Sequence, residues 1–203
     1  MVANLGTLAG VYITPAIHVD VTAVFANSNP TRPYRGAGRP EAAMLMERLM
    51  DQAARALDMD PVDIRRCNLL NADQLPHDGP TGMRLDSGDY PAALEKLRRI
   101  SDYPGLRAKQ ARRRADGELV GLGLALYVEP CGQGWESACV QIDADGQITA
   151  ATGSSAQGQG RETAAQQIVA DVLGVAPETI CIIHGDTDLA PAGIGALASR
   201  STA

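Results

Sequence analysis

Three short stretches of this sequence combine residue types that can hold an anion. In the first, Ser154-Ser155-Ala156-Gln157-Gly158-Gln159-Gly160 precedes a helical run that opens at Arg161. Glycines let a ligand approach the backbone, a helix start offers unpaired N–H groups and partial positive charge, and a glutamine amide supplies both donor and acceptor. The same composition also makes a tight turn that holds a helix against a sheet, and neither a Walker lysine nor a G-x-G-x-x-G run is present. In the second, Arg35-Gly36-Ala37-Gly38-Arg39 stands directly before Pro40-Glu41. Two guanidinium forks around glycines can grip a phosphate or an oxyanion; a strand-to-helix connection with surface arginines reads the same way. The third is Ala198-Ser199-Arg200-Ser201-Thr202, hydroxyls around one arginine, a composition shared with frayed terminal stretches. Glu129, where an apolar run ends before Pro130-Cys131, has the type of a general base or of an ordinary salt-bridge partner.

Composition narrows what these groups can serve. Of 203 residues, 45% are apolar and 21% charged, which is globular rather than disordered. One Trp, one Phe and five Tyr leave the core to Ala, Val, Leu and Ile and provide no stacking platform for bases. A net charge of −6 argues against nucleic acid and anionic membrane surfaces as partners. No apolar run approaches the ~20 residues of a membrane span, and no secretory signal is visible. Cys67, Cys131, Cys139 and Cys181 form no C-x-x-C pair, and His18, His77 and His184 are dispersed. A metal centre held by this chain alone is therefore not expected, and reduced thiols in a cytoplasmic protein are.

The elements that must position these groups alternate between strand and helix patterns, giving an α+β expectation. Val11 to Asn27 alternates apolar and polar residues as a strand does, and Asn29-Pro30 stops it. Pro40-Glu41 opens a helix to about Leu57, and Asp60-Pro61 starts a shorter one through Ile64 to Leu69. Asn71 to Gly88 reads as a loop and domain boundary. Tyr90–Ile100 and Gly105–Arg114 read as helices, the second with a solvated basic face of Arg107, Lys109, Arg112, Arg113 and Arg114. Leu119 to Val128 is expected as a strand. Glu136–Asp143 and Gln147–Gly153 form a hairpin about Asp143-Ala144-Asp145-Gly146. A helix from Arg161 to Leu173 ends at Gly174, and Ile180–Ile183 is a last strand. This gives segments 1–70, 71–115 and 116–203.

Taken in order, Pro33-Tyr34-Arg35-Gly36-Ala37-Gly38-Arg39-Pro40-Glu41-Ala42, Ile64-Arg65-Arg66-Cys67-Asn68, Gly158-Gln159-Gly160-Arg161-Glu162-Thr163, Gly185-Asp186-Thr187-Asp188 and Ser199-Arg200-Ser201-Thr202 carry a resemblance across nearly the whole chain. They resemble the molybdopterin-binding large subunit of the xanthine dehydrogenase, aldehyde oxidase and carbon monoxide dehydrogenase family. The resemblance implies a molybdenum cofactor-binding domain pair, with 1–70 ending the first domain, 71–115 a helical linker and 116–203 beginning the second. It implies a molybdenum-dependent oxidoreductase that oxidises a small aldehyde, heterocycle or carbon monoxide-like substrate with water-derived oxygen. The cofactor implied is molybdopterin cytosine dinucleotide with molybdenum, and the partners are an iron–sulfur small subunit and an FAD-binding medium subunit.

By the same resemblance Gly158, Gln159, Gly160, Arg161, Ser199, Arg200, Ser201 and Thr202 contact the cofactor, and Tyr34, Arg35, Gly36, Ala37, Gly38 and Arg39 form the loop beside the metal. Carbon monoxide dehydrogenases proper carry a copper-bridging cysteine in that loop. Gly36 stands in its place, which resembles the form II, carbon monoxide dehydrogenase-like members and disfavours copper. Ala37 replaces a phenylalanine that packs on aromatic substrates. Arg161 replaces a frequent histidine, and Ala196 a common threonine. Family chains are several times longer, so an internal fragment, incomplete at both ends, is expected. The glutamate base would lie beyond Ala203, leaving the isolated fragment inactive. A non-catalytic cofactor- or phosphate-binding module and a non-functional truncated remnant are the alternatives.

Overall fold

The computed structural model describes residues 2–30, 34–132 and 134–202, and the chain divides into two compact units, Met1–Glu129 and Pro130–Ala203. The first is helical. Helix α1 (Arg39–Ala56) starts with Pro40 in its first turn, and α2 (Pro61–Asn68) is capped by Asp60, whose carboxylate accepts the Val62 N–H at 2.8 Å. Asp60 also accepts the Tyr103 hydroxyl at 3.1 Å; burial first, then this carboxylate, push that hydroxyl's pKa up to about 12. Two-residue strands β1 (His77–Asp78) and β2 (Arg84–Leu85) pair within the segment expected as plain loop. Helices α3 (Tyr90–Ile100) and α4 (Tyr103–Ala115) follow. Helix α4 begins two residues earlier than expected, because Asp102 accepts the Gly105 N–H and caps it. Val11, Tyr12, Met50, Ala54, Val62, Ile64, Leu69 and Leu94 make the core.

A charged group lies at the centre of this apolar core. Arg65 on α2 is fully buried, and its guanidinium donates to Glu47 Oε2 at 2.9 Å, Asp51 Oδ1 at 2.9 Å and the carbonyls of Pro61, Glu47 and Leu124. Glu47 accepts the Tyr12 hydroxyl at 2.6 Å and the Leu126 N–H at 3.0 Å. Burial disfavours the Arg65 charge, but Glu47, Asp51 and Tyr12 together more than offset this and the pKa is raised. One ion pair thus ties together α1, α2, the Tyr12 segment and residues 124–126.

Two strand expectations are corrected. In 11–27 only Tyr12 pairs, as an isolated bridge to Leu69, and 119–128 forms no ladder among the described residues. Alternation reports which side chains seek burial, whereas a ladder needs a neighbouring backbone. In 119–128 side chains occupy those groups instead: Gln110 and Arg114 donate to Val120 O, Arg65 to Leu124 O, and Glu47 accepts Leu126 N–H. Leu124, Leu126 and Val128 pack on the first unit's core, so residues 116–129, grouped above with the third segment, lie in the first unit.

The second unit is a three-stranded sheet in the order β3 (Ala138–Ile142), β4 (Ile148–Thr152), β5 (Ile180–Ile183), with helix α5 (Arg161–Leu173) between β4 and β5. The β3–β4 hairpin is antiparallel, pairing Val140 with Ala150, and Asp143 Oδ1 accepts the N–H groups of Asp145 and Gln147 to close it. The β4–β5 pair is parallel, with Ala150 opposite Ile182. Ile148, Ala150, Ala170 and Ile180 form its core. The α+β architecture is that expected. Among the described residues no helix is long and apolar enough to cross a membrane.

Candidate functional site

In the second unit, β4 runs into a turn that delivers the chain to α5. Gly158 at φ +90° and Gly160 at φ +75° take left-handed conformations that side chains resist. A Cβ built on either meets no atom within 4 Å, so the turn is an open cradle. Gly160 is the N-cap of α5 and brings no side-chain cap, and in the first turn the Glu162 N–H is taken by the Glu162 carboxylate at the positive end of the helix. Gln159 is exposed, and its Oε1 accepts the Gln157 N–H at 2.5 Å. That contact orients the amide so that its NH2 is the group left to donate.

Ser154 joins two of the sequence motifs. It is fully buried, its Oγ accepts from the Arg161 guanidinium, and it lies 2.9 Å from Ser201 Oγ. The structure therefore brings Gly158–Arg161 and Ser201 together. Ser199 and Thr202 are exposed beside them, with Ala198 and Ser199 both at φ +54° in a left-handed turn. Arg200 points the other way. It is buried and donates to Glu136 Oε2 at 2.9 Å, to Gly195 O at 2.8 Å and to Trp135 O. These contacts make it a brace for the tail rather than an outward-facing grip.

His184, just past β5, was not singled out by sequence reasoning. Its Nδ1 accepts the Ala156 N–H at 3.4 Å, and its Nε2 lies 2.8 Å from Glu162 Oε1. The Glu162 backbone N–H, and then the His184 contact, hold the Glu162 pKa below the usual carboxylate value. A histidine leading into Gly185-Asp186 at a strand end was the only local signal.

The arginine–glycine loop belongs to the first unit. Gly36, Ala37 and Gly38 have φ of +87°, +48° and +98°, and Arg39 N–H closes the turn on Gly36 O at 3.1 Å. A Cβ at Gly36 would sit 2.8 Å from Pro40 Cδ, so this turn admits no side chain there without moving the ring. Tyr34 and Arg35 are exposed. Arg39 is paired with Glu129, the salt-bridge alternative for that glutamate, while its Nε is buried with no hydrogen-bond partner among the described residues. Gly36, Arg39, Pro40, Met44, Tyr127 and Glu129 line part of a largely apolar groove of about 590 Å³.

Residues 1–69 and 96–203 each match the molybdopterin cofactor-binding domain. The chain belongs to this family. Within it the chain falls with the molybdopterin-binding large subunits of the xanthine dehydrogenase and carbon monoxide dehydrogenase group, which are molybdenum-dependent oxidoreductases. It is 37% identical to the 6-hydroxypseudooxynicotine dehydrogenase complex subunit gamma of Paenarthrobacter nicotinovorans, over 97% of this chain and 26% of that protein. It is 38% identical to the carbon monoxide dehydrogenase large chain of Hydrogenophaga pseudoflava, over 96% of this chain and 26% of that one. The structure of quinoline 2-oxidoreductase from Pseudomonas putida 86 superposes with a TM-score of 0.88 at 34% identity, covering 97% of this chain and 27% of that chain. The chain thus spans about a quarter of the length of the curated relatives it matches.

Proposed function

We propose that this molybdopterin-binding chain serves a molybdenum hydroxylase large subunit, and that it takes the cofactor as the cytosine dinucleotide. The observation that carries this reading is the cluster in which Ser154 links Arg161 at the glycine turn to Ser201 in the tail. The open cradle over Gly158 and Gly160, at an uncapped helix start beside a guanidinium, suits a phosphate of such a cofactor. When bound, the group supplies two-electron oxidation of a small aldehyde, heterocycle or carbon monoxide-like substrate, with oxygen drawn from water.

The chain's own residues bind and orient. The backbone N–H groups of Gly160 and Arg161 and the Arg161 guanidinium would hold the anionic part. The Gln159 NH2 donates to the cofactor, with its oxygen engaged by Gln157. The hydroxyls of Ser199, Ser201 and Thr202 add contacts, and Arg200 keeps the tail in place through Glu136. Tyr34 to Arg39 form the active-site loop, and Gly36 excludes the copper-bridging thiol both by its identity and by its closeness to the Pro40 ring. The chain covers the end of one cofactor-binding domain within 1–70 and the beginning of a second within 116–203, with 71–115 the helical linker, while residues 116–129 pack with the first compact unit. The catalytic glutamate belongs to the remainder of a longer subunit. That subunit works in the cytoplasm with an iron–sulfur and an FAD-binding partner.

Gln159→Ala tests the assignment in the complete complex. Losing one polar contact is worth about 1 kcal/mol, so the cofactor should dissociate roughly fivefold faster on dilution into chelator-free buffer. Molybdenum retention identical to the parent would remove Gln159 from the site.

A further inference from the structure

We infer that His184 is a positioning residue that clamps both ends of the glycine turn through its two ring nitrogens, an inference that rests on the turn being the anion cradle. The ring sits at the exit of β5 with its side chain 22% exposed. Nδ1 takes the Ala156 N–H on one side, and Nε2 meets the Glu162 carboxylate on the other. Ala156 and Glu162 bracket the turn. Between them, among the described residues, Gly158 and Gly160 touch nothing within 4 Å of a built Cβ, and Gln159 bonds within the turn. Packing does not hold this segment, so its shape is set where it is tied. Ser154 anchors the approach, and a Cβ at Gly185 would lie 3.7 Å from Ser155 Cβ, which brings the loop after His184 against that same approach.

The two contacts demand one protonation pattern. A ring nitrogen that accepts an N–H carries no proton, so Nδ1 is bare and Nε2–H donates to Glu162. Few side chains offer a rigid acceptor and donor on opposite edges. Asparagine places an oxygen near the Nδ1 position but does not reach Glu162. Glutamine reaches Glu162 with its NH2 and leaves Ala156 without an acceptor.

The experiment uses the complete subunit that carries these 203 residues, prepared without cofactor. Long-range ¹H–¹⁵N spectra should show a pyridine-like Nδ1 and a protonated Nε2 at His184. Amide exchange at Ala156 should accelerate about tenfold in His184→Gln and His184→Ala, and stay within about threefold of the parent in His184→Asn. A protonated Nδ1 in the neutral ring overturns the inference. So does Ala156 exchange unchanged in the glutamine and alanine variants, or an asparagine variant as fast as alanine. Titration of the parent with inorganic pyrophosphate reads the functional assignment separately. Saturable binding that weakens about tenfold in His184→Gln supports the clamp as a determinant of the cradle. Absence of binding with the clamp intact rejects the cradle and not the clamp.

Discussion

Replacing Arg65 with alanine is expected to cost the first unit about 3–5 kcal/mol. The guanidinium is fully buried and makes five hydrogen bonds, and its removal strands Glu47, itself 5% exposed, as an unpaired charge in an apolar core. The same substitution frees Leu124 O, loosening the 124–126 segment that Glu47 also holds through Leu126 N–H. Domains of this size are stable by about 5–15 kcal/mol, so a loss of this order empties a large share of the folded population. Chemical denaturation followed by far-ultraviolet dichroism measures it. Arg65→Lys should recover little, since a single ammonium cannot reproduce the planar fork. A loss below about 1 kcal/mol for the alanine variant would mean that the pair is solvated and does not organise this unit.

Gly153→Ala is the second large effect, in the other unit. A Cβ there would lie 2.6 Å from Ala192 O and 2.7 Å from Pro191 O. Both are backbone atoms, so the segment after Leu189 must shift rather than rotate a side chain aside. Overpacking of this kind costs about 1–3 kcal/mol. The displaced segment leads to Glu136↔Gly193, to the Gly195 carbonyl that Arg200 donates to, and to Ser201 on Ser154. The variant should therefore lower the second unit's melting temperature and loosen the tail. Fluorescence of Trp135, whose carbonyl accepts from Arg200, reports the second change. Gly121→Ala, where a built Cβ meets nothing, is the control and should be neutral. Equal behaviour of the two variants would contradict the close approach at Gly153.

Local chemistry made most of the helices readable. Asp60-Pro61, the bounds of Tyr90–Ile100, and the Arg161–Leu173 helix closed by Gly174 follow from caps and periodicity within each segment. The Asp143–Gly146 hairpin did too. The extended stretches 13–27 and 119–128 did not, because a ladder depends on a neighbour that alternation does not name. Phe25 and Leu119 stand fully exposed in them. The site divides along the same line. Gly158-Gln159-Gly160 is a local signal and is a left-handed turn at a helix start. Ser154 and His184 work through contacts with residues 47 and 28 positions away, and nothing in their neighbourhoods announces this. Arg200 shows the opposite failure: its hydroxyl-rich surroundings suggest an anion grip, while Glu136, 64 positions earlier, turns it inward.

The most direct measurement is on the native full-length protein that contains this chain, purified through a tag at its own locus and then acid-hydrolysed. Elemental analysis and nucleotide chromatography would count molybdenum and released cytidine monophosphate against the chain. Both should be found, stoichiometric with one another and with the chain, and both should be depleted in the same proportion in the Gln159→Ala protein. A pure, folded protein with neither molybdenum nor a pterin-derived nucleotide would contradict the proposed function.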